Sequence, residues 1–164
     1  MSKSVYFLSL ALVVLLLAGC GANVNVSFNA EGGASITVSL DEARINDLIR
    51  ESPATTDRDG LLTEITSIDM MDGLIRVSGV HVRSDGTRLN GSYDFNLSAS
   101  DGRLAARVVA VSIEGFSMDD ARIARINTEL ADAFGRAASE SPNVHFDSVI
   151  IGNSEMKISL TVTR

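Results

Sequence analysis

Four Asp-Gly pairs divide the middle of the chain into segments of alternating polarity. The pairs are Asp59-Gly60, Asp72-Gly73, Asp85-Gly86 and Asp101-Gly102. Asp-Gly between alternating apolar runs is a strong hairpin signal, because glycine adopts a positive φ without steric cost. The segments between the pairs are about 11 to 14 residues long. We therefore predict a four-stranded antiparallel meander over residues 61–115, with the rest of the chain packed on it.

The register of this meander follows from keeping its apolar side chains on one face. Two-residue turns at the second and fourth Asp-Gly pairs preserve apolar pairing. A two-residue turn at the third pair would instead place Phe95 opposite the charged Arg76. A three-residue loop at residues 84–86 places Phe95 opposite Ile75. We therefore predict the longer loop, closed by a bulge with Gly86 at positive φ.

If apolar and polar side chains alternate without a break, an apolar cluster falls on the face of the meander that is otherwise polar. Its members are Val80, Val82, Val109, Val111 and Ile113. The predicted register groups them around Asn90 and Ser92. An apolar patch of this kind is normally covered. Either the terminal strands of the chain cover it, or a partner or membrane surface does.

The first residues have the pattern of a targeting segment. A short positive stretch at residues 1–3 precedes an apolar run of 13 residues, 5–17, which is too short to span a membrane comfortably. The run ends in Leu17-Ala18-Gly19-Cys20, which resembles the bacterial lipobox at all four positions. Cys20 is the only cysteine, so an internal disulfide and a cysteine-rich zinc site are both excluded.

The lipobox resemblance implies cleavage before Cys20 and a diacylglycerol thioether on its sulfur, with a further fatty acyl chain such as palmitate on its amino group. Stable anchoring takes more than one acyl chain, which this modification supplies. We therefore predict a lipoprotein signal peptide at residues 1–19 and a single α+β envelope domain at residues 20–164. The domain is expected on the extracytoplasmic side, at the outer membrane if the cell has one.

Strands and helices flank the meander, and the predicted order is β-β-α-β-β-β-β-α-β-β. We expect Ser39 to cap a short helix that ends at Pro53, and Ser117 to cap a long helix that runs to about Glu140. The predicted fold class is α+β, with a long curved antiparallel meander packed on one long and one short helix. Apolar side chains form a stripe along the long helix: Ile123, Ile126, Leu130, Ala133, Phe134 and Ala137.

Charge and composition exclude several functions. The net charge is −7, with no basic stripe, which argues against nucleic acid as a partner. The two histidines, His81 and His145, lie on different predicted strands without a ligand set. There is no Gly-x-Ser-x-Gly elbow and no phosphate-binding glycine loop. We therefore predict a protein that is not an enzyme and has no cofactor and no catalytic or metal site.

The pattern of elements resembles small bacterial lipoproteins of the tubular lipid-binding kind, including LmeA-like phospholipid-binding proteins. The resemblance covers about residues 35–163 and includes Val111-Ser112-Ile113-Glu114-Gly115 before the long helix. It implies a lipid or hydrophobic ligand in a groove between sheet and helix. The residues expected to line it are Tyr93, Phe95, Leu97, Val108, Ile126, Leu130 and Phe134. The alternative is a non-catalytic structural or protein-interaction lipoprotein in which the same side chains form a closed core.

Overall fold

A computed structural model describes residues 22–28, 33–51, 61–140 and 142–163. Its elements follow the predicted order. They are β1 (Ala22–Phe28), β2 (Ala34–Asp41), α1 (Glu42–Glu51), β3 (Glu64–Met71), β4 (Leu74–Val82), β5 (Arg88–Ser100), β6 (Arg103–Ser112), α2 (Ala121–Glu140), β7 (Val144–Ile151) and β8 (Glu155–Val162). The predicted signal peptide and Cys20 lie outside the described residues.

The predicted fold class is wrong. The described part of the chain is mostly β, with eight strands and two helices, and it is not a meander packed on a long helix. Two four-stranded antiparallel sheets are present in the described residues. We call β1-β2-β8-β7 the terminal sheet and β3-β4-β5-β6 the meander sheet. The error arose because β2 pairs with β8, placing Val38 opposite Ile158, so the two ends of the chain form a sheet of their own.

The predicted register of the meander sheet is confirmed. Phe95 lies opposite Ile75. In the loop between β4 and β5, the backbone N–H of Arg83 donates to the carbonyl of Thr87 at 2.9 Å. Gly86 has a φ of 84°, as the predicted glycine bulge requires. Keeping apolar side chains on one face was therefore sufficient to choose between the two loop lengths.

A β-bulge in β6 at Val109 shows that part of the predicted apolar cluster is wrong. One extra residue reverses the faces of those that follow it. Val111 therefore lies opposite Tyr93, and Ile113 is buried in the core. The prediction that both belong to the polar face is wrong, because it carried the alternation through unbroken. Val80 does remain on the outer face, and it is also buried.

The terminal and meander sheets share one hydrophobic core, to which β2, β4, β6 and β8 contribute apolar side chains. Two backbone hydrogen bonds join the sheets at the hairpin turns. The N–H of Gly73 donates to the carbonyl of Ile151 at 2.9 Å, and the N–H of Phe146 donates to the carbonyl of Gly102 at 3.0 Å. Strand β7 therefore lies across the turns that close the β3–β4 and β5–β6 hairpins.

Aspartates cap both helices, and the predicted caps Ser39 and Ser117 are wrong. Oδ1 of Asp41 accepts a hydrogen bond at 2.8 Å from the backbone N–H of the third residue of α1. Oδ1 of Asp120 accepts one at 2.9 Å from the backbone N–H of Arg122. Ser39 lies within β2, because that strand continues to the residue before α1. Aspartate satisfies the free N–H groups of a helix start as well as serine does.

Candidate functional site

Two of the residues predicted to line a ligand groove belong to the closed core. Leu97 of β5 and Val108 of β6 are buried there among side chains from both sheets. They lie diagonally on neighbouring strands, because Leu97 is opposite Ala106 and Val108 is opposite Phe95. At these positions the protein's own side chains therefore fill the space that a ligand groove would need.

Four other predicted residues are only half-buried. Tyr93 and Phe95 of β5, and Ile126 and Leu130 of α2, pack against the outside of the core cluster. The two elements that carry them, β5 and α2, both pack against β6, and we call these four side chains the β5–α2 surface. The side chain of Phe134, also predicted to line the groove, lies outside the described part of the structure.

The exposure of Tyr93 and Phe95 contrasts with that of their neighbours on the same face. Their partners on β4, Val77 and Ile75, have exposed fractions of 0% and 2%. On β6, the partner of Phe95 is the buried Val108. Both β4 and β5 have a partner strand on each side, so their position within the sheet does not account for this difference. The sheet is therefore less covered above the middle of β5 than above β4.

Helix α2 is held against β6 by apolar contacts and by a hydrogen bond. Ile123 is buried in the core. Oδ1 of Asn127 accepts a hydrogen bond at 2.7 Å from the backbone N–H of Val108. This N–H belongs to β6, an edge strand of the meander sheet, so the bond satisfies a donor that the sheet leaves unpaired. Sequence reasoning missed Asn127, although a polar residue beside an apolar helix stripe was a visible signal.

Burial raises the pKa of the Tyr93 phenol to about 12. The phenol therefore stays protonated and uncharged over the whole physiological pH range. The β5–α2 surface therefore carries one neutral hydroxyl and no charged group among its four side chains. Apolar lining with a small number of polar groups is typical of sites for hydrophobic ligands.

A compact cluster fixes the start of α2. The Arg122 guanidinium lies over the ring of Phe116, with Cζ 3.7 Å from the ring centroid. It also donates to both carboxylate oxygens of Asp120, at 2.9 and 2.8 Å. The ring of His81 meets Phe116 edge-on at 4.8 Å, and His81 Nδ1 lies 3.0 Å from the Leu61 carbonyl, to which it donates. These contacts join α2 to β4, so their role is structural.

Asp120 gives this cluster a pH dependence. Its hydrogen bonds to the side chain and backbone N–H of Arg122 lower its pKa from 3.8 to about 2. A folded-state pKa below the unfolded value stabilises the protein above pH 3.8, and this contribution disappears as the pH falls to about 2. We expect the difference in melting temperature between wild type and Asp120→Asn to shrink over that interval. Asp119→Asn, at an exposed neighbouring position, is the control. A difference that stays constant down to pH 2 would contradict this account of the cluster.

The two histidines have separate partners. His145 is exposed, and its Nδ1 lies 3.1 Å from Oδ1 of Asp147. Within the described ranges, no three histidine, cysteine, aspartate or glutamate side chains are grouped to hold a metal ion. No helix in the described part of the chain is both long and apolar enough to cross a membrane.

Comparison with protein-family models, curated proteins and solved structures finds no match to this chain.

Proposed function

We propose that this protein is a membrane-anchored lipoprotein of the bacterial cell envelope, held on the extracytoplasmic side by acyl chains on Cys20. The lipobox Leu17-Ala18-Gly19-Cys20 supports this assignment, because it coincides with the end of the apolar run and with the only cysteine. The start of β1 at Ala22 is consistent with it, since one residue separates the anchor from the first strand.

The domain binds a hydrophobic ligand, most simply a phospholipid acyl chain, at the β5–α2 surface. The observation that supports this is the incomplete cover of Tyr93 and Phe95 beside the fully buried Val77 and Ile75. The ligand would complete the cover of β5 and contact Ile126 and Leu130 of α2, and the uncharged Tyr93 hydroxyl could meet an ester group. The protein is non-catalytic in this proposal.

A second function is favoured by the burial of Leu97 and Val108. If the core is closed at every position, the lipoprotein binds no ligand and acts as a structural or protein-interaction module. Both functions share the anchor at Cys20. They differ in whether added lipid binds to the β5–α2 surface.

The anchor is tested by Cys20→Ser. A serine has no thiol to accept the diacylglycerol, so we expect an uncleaved or soluble protein without acyl groups. Intact mass, metabolic labelling with a fatty acid and membrane fractionation measure this. Wild-type retention and acyl labelling in the variant would refute the proposed lipidation site.

The ligand site is tested by Leu130→Gln in residues 21–164, which contain every described strand and helix. If lipid covers Leu130, added phospholipid should raise the melting temperature of the wild type by mass action and raise that of the variant much less. Ala131→Gln changes the next, exposed position of the same helix and is the matched control. It should keep the wild-type response.

Either of two results would favour the interaction module instead. One is a melting temperature of the wild type that phospholipid does not change. The other is an equal lipid response in Leu130→Gln and Ala131→Gln, which would place any binding away from the β5–α2 surface.

A further inference from the structure

Strand β1 presents an apolar row that the domain covers partly at Val24 and leaves exposed at Val26 and Phe28. Val24, Val26 and Phe28 alternate along it and lie on one face. Their partners on β2 are Val38, Ile36 and Ala34, and all three partners are buried. The row therefore continues the inward face of the terminal sheet, but Phe28 is 71% exposed. The core ends before the far end of β1.

Strand β1 is also an edge strand without charge. Among the strands that the structure describes, it pairs only with β2. Its sequence, Ala22–Phe28, contains no ionisable side chain. Between Gly21 and Leu40 the only charged residue is Glu31, in a chain whose net charge is −7. This edge therefore carries no charge of its own that an anionic lipid surface would repel.

The distance to the proposed anchor is short. Only Gly21 separates Cys20 from β1, so the Cα atoms of Cys20 and Ala22 lie at most about 7 Å apart. The acyl chains would therefore hold the start of β1 at the headgroup region. At its other end, about 20 Å along the strand, Phe28 is an exposed aromatic side chain of the kind that partitions into a membrane interface.

We infer that β1 lies along the bilayer surface, with Val26 and Phe28 inserted into the interface, so that the domain is held in one fixed orientation. This inference rests on the proposed anchor at Cys20. A strand with an acyl anchor at one end and an exposed aromatic side chain at the other makes the most contact with the bilayer by lying flat on it. The partner of this edge is the bilayer that holds the acyl chains.

The chain contains no tryptophan, so one introduced tryptophan reports on one position. Phe28→Trp probes β1. Ile150→Trp is the matched control, because Ile150 is 62% exposed on β7, the opposite edge of the same sheet. Three strand spacings, about 14 Å, separate the two edges. Both variants are made in the full lipidated chain and reconstituted into vesicles of phosphatidylethanolamine and phosphatidylglycerol with brominated acyl chains.

We expect bromine to quench Phe28→Trp at least about twofold more strongly than Ile150→Trp. Equal quenching, or none, in acylated vesicle-bound protein would overturn the inference while leaving the anchor intact. A blue shift of Phe28→Trp that depends on protein concentration and occurs without bromine quenching would assign the edge to a second copy of the chain, and would also overturn it. Intact mass is measured first, because a chain without added acyl mass refutes the anchor itself.

Discussion

Gly79→Ala should destabilise the domain by about 3 kcal/mol or more, at the upper end of what overpacking costs. The bulge in β3 between Ile65 and Ser67 brings the carbonyl oxygen of Glu64 over Gly79, where a Cβ atom would overlap it. A backbone carbonyl cannot rotate away as a side chain can. Small domains have a total stability of about 5–15 kcal/mol, so a large part of it would be lost.

Gly152→Ala is the control for this prediction, because the nearest atom to its Cβ is the Glu155 carbonyl oxygen at an ordinary 3.4 Å. It should change stability by less than about 1 kcal/mol in either direction. Urea unfolding of residues 21–164 measures both variants from their midpoints at constant slope. If Gly79→Ala unfolds at the same urea concentration as Gly152→Ala, the described packing of β3 on β4 is incorrect.

Ile123→Ala should cost about 2–5 kcal/mol, the usual range for truncating a fully buried isoleucine. Ile123 is 1% exposed and is the residue of α2 that lies within the core, among those whose side chains the structure describes. Its loss leaves a cavity under the helix that carries Ile126 and Leu130, so lipid binding should weaken together with stability.

Ile150→Ala removes the same atoms from a side chain that is 62% exposed. It should change stability by no more than about 0.5 kcal/mol. Similar unfolding midpoints for the two variants would show that α2 is not anchored through Ile123.

Local pattern was sufficient for the meander sheet because its strands are neighbours in sequence. The Asp-Gly pairs mark the turns, and the apolar face selects the register that places Phe95 opposite Ile75. This reasoning fails where one extra residue interrupts the alternation of a strand. Nothing in the run of valines around Val109 distinguishes a bulge from continued alternation, so Val111 and Ile113 were assigned to the wrong face.

The terminal sheet could not be derived in the same way. Strand β2 would have to be paired with β8 across more than a hundred residues, and alternation shows only that each has an apolar face. The strand pairs at the two ends of the chain were therefore treated as additions to the meander. Once Val38 pairs with Ile158, a second sheet shares the core with the first, and the fold is mostly β.

The candidate site was partly predictable for a related reason. Periodicity places Tyr93, Phe95, Leu97 and Val108 on one face, but it does not report which of them a second sheet covers. In the structure Leu97 and Val108 are buried, whereas Tyr93 and Phe95 remain half-exposed. Asn127 was missed because helix periodicity ranks side chains by polarity, and its partner is a backbone N–H of β6.

Native mass spectrometry of residues 21–164, purified from cells without detergent, tests most directly whether this domain binds a lipid. If the β5–α2 surface holds an acyl chain, the spectrum should contain the protein with one phospholipid added, and the added mass should disappear on collisional activation. A spectrum with only the unliganded chain, from a preparation that unfolds cooperatively, would contradict lipid binding and leave an anchored interaction module.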